Sequence, residues 1–299
     1  MDSIQSHIFR AGLRLQRRFI VNVETSAEQR RARFEHVTRL LRRMPTGVQV
    51  APVAIGDVPG EWLIPNNADP NRLMLYLHGG GFMMGSPATH RAMVARIALA
   101  CRARILLPDY RLAPECPYPA ALDDSVAAYH WLRSNHGGDP AIVLAGDSAG
   151  GGLVISTLLR LREADQPLPA AGVCLSPFID FTLSGDSIVT RAEADPYLAP
   201  NDHVVLKYYL GQHDPRDPLL SPVFADMGGL PPLFIQVGHD EVLLSDAERL
   251  AQRAEAGGVP VTLEIWSSMW HVWQFFAPYM PESQRAIDRI GEWVLEKTG

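Results

Sequence analysis

The chain has 299 residues, of which 47% are hydrophobic and 20% charged, and its formal net charge is −6. This composition is typical of a soluble globular protein, and the acidic balance argues against a nucleic-acid-binding protein. The three cysteines are odd in number and lack a CxxC spacing, so we expect no disulfide framework, no zinc site and a cytoplasmic location. We also expect no signal peptide, because the N-terminus MDSIQSHIFRAG lacks an apolar h-region followed by a small-residue cleavage site. We expect no stable membrane insertion, because no apolar run approaches the roughly 18 residues of a spanning helix.

The first 43 residues differ in charge from the rest of the chain. They carry ten arginines against four acidic residues, a local charge of +6. Such a segment suits contact with an anionic membrane or with nucleic acid. We favour the alternative of two amphipathic helices with their arginines on solvated faces, because apolar residues recur there at helical spacing. Ile8, Leu15 and Phe19 would then form the buried face of the first helix.

After Pro45, short apolar runs alternate with helical patterns. The predicted strands cover 48–55, 60–65, 72–77, 104–110, 141–148, 170–177, 233–238 and 261–266. The predicted helices cover 90–101, 121–135, 149–163, 245–257 and 283–297. Alternation of this kind predicts an α/β fold with a largely parallel sheet buried on both faces. More than fifty residues before the seventh strand show no clear alternation of strand and helix. We expect an insertion there that acts as a lid or binds substrate.

The strongest motif in the chain is Gly-x-Ser-x-Gly at residues 146–150. It lies between a predicted strand and a predicted helix, the context in which a sharp turn lifts a serine hydroxyl clear of the backbone. The alternative, a glycine-rich packing turn, does not require that context. The motif therefore predicts Ser148 as a nucleophile, beside a helix N-terminus that stabilises developing negative charge.

A second motif, LHGGGFMMG, follows the predicted strand 72–77. Consecutive glycines cost conformational entropy, and an oxyanion hole gives a reason for them, because backbone N–H groups must approach a substrate oxygen closely. We predict Gly79 and Gly80 from this loop, with Ala149 after the serine, as the three donors. His78 precedes the serine in the chain, and we interpret it as an anchor for the loop.

A nucleophilic serine needs a base, and the base needs a carboxylate that orients it. In this fold the chain order is serine, acid, histidine. Asp240 follows a predicted strand at the edge where ligands bind in parallel sheets, and His271 is the one histidine that comes after it. We therefore predict the triad Ser148, Asp240 and His271, with Glu241 as the competing acid.

Five stretches together carry a family resemblance: HGGG, PDYRLAPE (108–115), PAALDD (119–124), GDSAGG (146–151) and HVWQFF (271–276). They resemble, in the same order, the hormone-sensitive-lipase-like family of bacterial esterases. The resemblance implies an α/β-hydrolase fold with a mostly parallel eight-stranded sheet flanked by helices, and the same triad and oxyanion residues. The acid motif departs from the usual Asp-Pro-Leu of the family, since this chain has Asp-Glu-Val at 240–242.

The resemblance also implies a domain organisation and an activity. N-terminal helices (1–45) and an insertion (181–225) form a helical cap on a catalytic domain made of 46–180 and 226–299. The activity is that of a carboxylesterase acting on small-molecule esters with short to medium acyl chains, without a cofactor. A homodimer through the last edge strand is a further expectation.

Three questions stay open on the sequence alone. Phe82, Met83, Met84 and Trp270 are candidates for the wall of a substrate pocket, although core packing explains each of them equally well. An amidase or lactonase could use the same triad. A non-catalytic receptor on the same fold is the alternative from another class, and it predicts the loss of a triad residue.

Overall fold

The computed structural model describes residues 2–20, 26–137, 139–198 and 206–299, without the side chains of 18–20. Within these ranges the strands are β1 (Val48–Ile55), β2 (Val58–Pro65), β3 (Arg72–Leu77), β4 (Arg104–Pro108), β5 (Ala141–Asp147), β6 (Ala171–Leu175), β7 (Leu233–Gly238) and β8 (Val261–Trp266). The helices are α1 (Ile4–Ile20), α2 (Ala27–Arg39), α3 (Pro87–Cys101), α4 (Ala120–Ser134), α5 (Ala149–Glu163), α6 (Ser187–Thr190), α7 (Leu244–Ala256) and α8 (Pro281–Thr298).

The eight strands form one sheet in the order β1-β2-β4-β3-β5-β6-β7-β8. The pairs β1–β2 and β2–β4 are antiparallel, and every other neighbouring pair is parallel. The predicted α/β fold with a mostly parallel sheet is therefore confirmed. The carboxyl ends of β5, β6, β7 and β8 meet at one edge of the sheet, which brings the loops that follow them together.

The central strands are buried on both faces, as their continuous apolar sequences require. In β3, alternate side chains enter different clusters: Leu73 and Leu75 pack with α4 and α5, whereas Met74 and Tyr76 pack with α3 and α8. All six residues of β3 and all six of β7 are buried. These strands form a rigid base for the loops at their ends.

Local signals in the sequence fix several helix ends. Ser86 caps α3 through a reciprocal hydrogen-bond pair with Thr89, and Pro87 occupies the first helical position, where its missing N–H costs nothing. Ser26 and Gln29 form the equivalent capping box of α2. None of the helices in the described ranges combines the length and apolar character needed to cross a bilayer.

Helix α1 differs from the sequence prediction. Ile8 and Leu15, predicted as its buried face, are exposed, and Leu13 packs instead against the segment 269–286. The side chain of Phe19 lies outside the described residues. Arg17, predicted on a solvated face, turns inward and donates to the carbonyl oxygen of Ala192 at 2.9 Å. The simple helical spacing fails here because charged side chains, not only apolar ones, contact the rest of the fold.

The insertion before β7 contains little regular structure in its described part. Besides the four-residue α6, it has one turn of π-helix at Leu206–Leu210 and a 3₁₀ turn at Pro222–Phe224. Residues 199–205 lie outside the described ranges. The division into a cap and a catalytic domain stays a prediction.

Candidate active site

The serine turn has the geometry that its motif predicts. Ser148 follows β5 and precedes α5, with φ 53° and ψ −120°, a strained conformation for a residue with a side chain. A Cβ at Gly150 would lie 1.9 Å from the carbonyl oxygen of Leu77, and one at Gly146 would lie 2.5 Å from that of Gly150. Only glycine fits at both positions, so the two motif glycines let α5 pack against β3 and raise Ser148 above the sheet edge.

A chain of polar contacts runs from Ser148 through His271 to Glu241. The Oγ of Ser148 lies 2.9 Å from Nε2 of His271, and Nδ1 of His271 lies 3.4 Å from Oε1 of Glu241. Glu241 is fully buried and His271 is 5% exposed. With a proton on Nδ1, the imidazole donates to Glu241 and Nε2 is free to accept the proton of the serine.

The structure corrects the predicted acid. Asp240 does not face His271: its carboxylate lies 3.0 Å from Nη1 of Arg10 and 2.9 Å from Nδ1 of His239. Successive residues in the turn after β7 point in different directions, and this turn directs Glu241 inward and Asp240 towards α1. The carboxylate that contacts His271 is therefore the one that the sequence analysis ranked second.

Glu241 is held by two further hydrogen bonds. Its Oε2 accepts from the N–H of Gly238 at 3.0 Å and from the hydroxyl of Ser176 at 2.9 Å. The same Ser176 Oγ accepts the N–H of Val272, next to His271, at 3.2 Å. Ser176 thus connects the loops after β6, β7 and β8, and both oxygens of the buried carboxylate have polar partners.

The electrostatic surroundings of His271 favour a proton on the ring. Burial of the imidazole alone would lower the pKa of His271, but the hydrogen bond and charge of Glu241, with the charges of Asp195 and Asp147, outweigh burial and raise it. Tyr197 stacks on the ring at a centroid distance of 6.1 Å. This site favours the imidazolium that forms when a serine loses its proton.

The loop after β3 corrects one predicted oxyanion donor. Gly79 is buried, and its N–H donates to Oδ1 of Asp147 at 3.1 Å. This N–H is therefore not available to bond a substrate oxygen. The N–H groups of Gly80 and Gly81 take part in none of the hydrogen bonds found among the described residues, and both residues are half-buried. Gly80 has φ 120°, and a Cβ there would lie 2.3 Å from the carbonyl oxygen of Met84.

His78 and Asp147 brace this loop from behind. Nδ1 of His78 lies 2.8 Å from the carbonyl oxygen of Gly79, and its ring stacks on Tyr110 at 4.2 Å. Burial, reinforced by the neighbouring His90, lowers the pKa of His78 to about 3, so the ring is neutral at physiological pH. Its interpretation as an anchor agrees with these contacts.

Asp147 is buried beside Ser148. Its Oδ1 accepts from the hydroxyl of Tyr76 at 3.0 Å as well as from Gly79. Burial would raise the pKa of Asp147, but its interactions with His90, 3.5 Å away, and the hydrogen bond from Tyr76 together outweigh burial and lower that pKa. The ionised carboxylate therefore connects the serine turn to the glycine loop after β3.

The predicted pocket residues lie in two separate places. Phe82 and Met83 follow the three glycines in the loop after β3 and are almost completely buried, and Met84 is half-buried. Phe82 stacks face to face on Tyr209 of the insertion, with ring centroids 3.9 Å apart. Trp270 has no exposed surface and packs with Leu13 in a third cluster, which is the core position that the sequence left as its alternative.

Several residues of the site were not predicted from the sequence. Ser176 had one usable signal, its position directly after a buried strand at the ligand-binding edge of the sheet. Asp195 is fully buried and accepts N–H bonds from Tyr197, Leu198 and Val242, but in the sequence it is only one Asp-Pro step in an irregular segment. Arg10 had no usable signal, because its partner Asp240 is 230 positions away.

Comparison with known proteins places the chain in a family. Residues 74–275 match a family model described as the alpha/beta hydrolase fold. An acetyl-hydrolase from Streptomyces hygroscopicus is 44% identical over 248 residues, covering 83% of this chain and 83% of the relative. An esterase from Acinetobacter venetianus is 34% identical, covering 87% of this chain and 86% of that relative.

Solved structures give the same result. A crystal structure of an esterase from the bacterial hormone-sensitive lipase family superposes with a TM-score of 0.94 at 44% identity, covering all of both chains. The protein EstE5, in a crystal soaked with p-nitrophenyl butyrate, matches with a TM-score of 0.94 at 41% identity over 99% of each chain. The chain therefore belongs to the α/β-hydrolase fold family and, within it, to the hormone-sensitive-lipase-like esterases.

Proposed function

We propose that the protein is a serine carboxylesterase that hydrolyses short- to medium-chain acyl esters through an acyl-enzyme intermediate. The observation that carries the proposal is the contact chain from Ser148 Oγ to His271 Nε2 and from His271 Nδ1 to Glu241. Ser148 is the nucleophile, His271 the general base and acid, and Glu241 the carboxylate that orients the imidazole. These roles differ from the sequence prediction only in the acid.

In the first half of the reaction, Ser148 Oγ attacks the ester carbonyl carbon while its proton moves to Nε2 of His271. Glu241 stabilises the resulting imidazolium. The carbonyl oxygen becomes an oxyanion that accepts hydrogen bonds from the N–H groups of Gly80, Gly81 and Ala149, each worth about 3 kcal/mol of barrier. The carbon–oxygen bond to the alcohol then breaks, and the alcohol leaves with the proton from His271.

In the second half, water attacks the acyl-serine and gives a proton to His271. The same three N–H groups hold the second oxyanion. When the bond between the acyl carbon and Ser148 Oγ breaks, His271 returns its proton to the serine, and the carboxylic acid is released. One site thus serves both steps, and the protein's own residues supply every proton transfer.

The relatives support short acyl groups as substrates. One relative is named an acetyl-hydrolase, and one matching crystal was soaked with p-nitrophenyl butyrate. A cytoplasmic location and a homodimer through the edge strand β8 complete the proposal.

The test is hydrolysis of p-nitrophenyl esters from acetate to palmitate by the wild-type protein, Ser148→Ala and the control Ser134→Ala, which changes an exposed serine at the end of α4. We expect the highest kcat/KM on acetate to hexanoate, no measurable turnover by Ser148→Ala, and wild-type turnover by the control. Wild-type protein inactive on every ester would overturn the proposal. Faster turnover of matched p-nitroanilides or lactones would reassign the substrate class, and binding without turnover would favour the receptor.

A further inference from the structure

Arg10 turns from α1 towards the catalytic edge of the sheet. Its side chain is 14% exposed, although it belongs to a helix on the outside of the fold. Its partners come from three separate segments of the chain: the end of the α6 region, the turn after β7 and the turn after β8. A guanidinium with several partners is suited to holding such segments in one arrangement, because its donors lie in a fixed plane.

The first contact is with the turn that carries the acid. Nη1 of Arg10 lies 3.0 Å from Oδ2 of Asp240, which is adjacent to Glu241 in the chain. The side chain of Asp240 is 22% exposed, so the pair is partly shielded from water and from salt. The same Nη1 also lies 3.4 Å from the carbonyl oxygen of Ala194, next to Asp195.

The second contact is with the turn that carries the base. Nη2 of Arg10 donates a hydrogen bond to the carbonyl oxygen of Ser268, three residues before His271. The guanidinium also lies over the ring of Trp270, with Cζ 5.3 Å from the ring centroid. The N–H of Asp240 donates to the carbonyl oxygen of Met269 at 2.9 Å, so the two turns are already joined at the point that Arg10 covers.

We propose that Arg10 is a positioning residue for the acid–base half of the site. It fixes the turn after β7 against the turn after β8, so that Glu241 and His271 face each other at hydrogen-bond distance. This inference rests on the proposed function for its effect on turnover, but the clamp itself is a property of the fold. The contacts of Arg10 within the described residues include none with Ser148, His271 or Glu241.

Three variants test the clamp. Arg10→Met keeps the length of the side chain and removes the guanidinium, while Arg10→Lys keeps a charge opposite Asp240 without the planar fork. Arg14→Met is the matched control, because Arg14 lies one turn further along the same helix and is exposed. Ester hydrolysis and thermal unfolding are measured for all three variants and for the wild type.

We expect kcat of Arg10→Met to fall about 10- to 100-fold, with KM for a short ester changed less than about threefold, because small displacements of catalytic groups reduce turnover strongly. Arg10→Lys should recover part of the loss, and Arg14→Met should retain wild-type kcat. If Arg10 only stabilised the fold, Arg10→Met would lower the unfolding temperature and leave kcat of the folded protein unchanged. That result would overturn the proposal.

Hydrogen exchange supplies a measurement that does not depend on activity. The N–H groups of His239, Asp240 and Met269 are hydrogen-bonded within the two turns. Their exchange should accelerate in Arg10→Met and not in Arg14→Met, while exchange in the buried strand β5 stays unchanged. Equal exchange in both variants would overturn the clamp. A wild type without esterase activity would overturn the proposed function instead, and the exchange data would still decide on Arg10.

Discussion

The two halves of the candidate site are held in place by different kinds of interaction. The serine half consists of the turn between β5 and α5 and the glycine loop after β3, and the backbone determines its geometry. Gly150 allows α5 to approach the carbonyl oxygen of Leu77, and Ser148 keeps its strained φ because both neighbouring elements are buried. Few side chains other than Asp147 and His78 are needed to fix this half.

The acid–base half depends on side chains from distant parts of the chain. Glu241 is held by Ser176, and Val242 by the carboxylate of Asp195. Asp240 is held by Arg10. One position in this half also requires glycine: a Cβ at Gly238 would lie 2.3 Å from the carbonyl oxygen of Met269. A single glycine at the end of a strand does not form a motif, and the other contacts of this half are made by side chains. Geometry that the backbone determines therefore leaves a motif in the sequence, whereas geometry that side chains determine does not.

Because the backbone fixes the serine half, we expect one added methyl group to disrupt the serine turn. In Gly150→Ala, the new Cβ would lie 1.9 Å from the Leu77 carbonyl oxygen and 2.7 Å from that of His78, both backbone atoms that cannot move aside. We expect a loss of about 3 kcal/mol or more in the free energy of unfolding, and no turnover.

Gly12→Ala in α1 is the matched control, since a Cβ there meets nothing within 4 Å. It should stabilise the protein by about 0.5–1 kcal/mol through its helix propensity. Denaturant unfolding measures both variants. A Gly150→Ala protein with wild-type stability would show that the serine turn is not fixed by its backbone.

The next largest effect distinguishes the two adjacent acids. Glu241→Gln removes the charge that faces His271, and we expect kcat to fall about 10³- to 10⁴-fold, as when the carboxylate of a serine triad is neutralised. Asp240→Asn weakens one partly exposed contact of Arg10, and we expect about a fivefold loss or less. Steady-state kinetics on p-nitrophenyl butyrate measures both variants.

The reverse order, with the larger loss in Asp240→Asn, would restore the sequence prediction and contradict the geometry of the turn after β7. Equal and small losses would mean that neither carboxylate orients His271. Circular dichroism on both proteins excludes unfolding as the cause of a large loss.

A smaller effect concerns pH. His271 must be neutral to accept the serine proton, so activity is lost as pH falls through its pKa, which lies above the ordinary value of 6.5. Glu241→Gln removes the contact that raises this pKa, so the acidic limb of kcat/KM against pH should move to lower pH in the residual activity. An unmoved limb would show that Glu241 does not interact with the ring.

The same shift carries a consequence for stability. Because the pKa of His271 is raised in the folded state, its protonation contributes stability that is fully present below the unfolded value of 6.5 and is lost as pH rises through the folded value. The difference in the free energy of unfolding between wild type and His271→Ala should therefore shrink from acidic to neutral pH and above. Denaturant unfolding of both proteins at an acidic and at a neutral pH measures it.

Most of the fold could be predicted from the sequence. The strand boundaries agree within two residues, and β1, β3, β7 and β8 agree at both ends. Continuous apolar runs and turn residues are local signals, and a parallel sheet follows from their alternation with helices. Ser148 and His271 were predictable for a related reason, since a glycine motif and the chain order single them out.

The errors share a physical cause. Asp240 and Glu241 are adjacent, so sequence position cannot tell which one the turn after β7 directs towards His271. Gly79 and Gly81 are equally free of side chains, and only the position of Asp147 shows which N–H is already bonded. The inward orientation of Arg10 depends on residues far along the chain. Each error concerns the direction of a group, which nonlocal packing decides.

Helix α1 also ties the first residues of the chain to the last. The N–H and hydroxyl of Ser3 bond the carboxylate of Glu282 at 2.6 and 2.9 Å, and the polar partners of Arg10 and Arg17 lie at residue 192 or beyond. On the ribosome, α1 therefore cannot dock until its partners between residues 192 and 282 have been made. The acid–base half of the site is completed only after His271 has been made, so a nascent chain that carries Ser148 is not yet an enzyme.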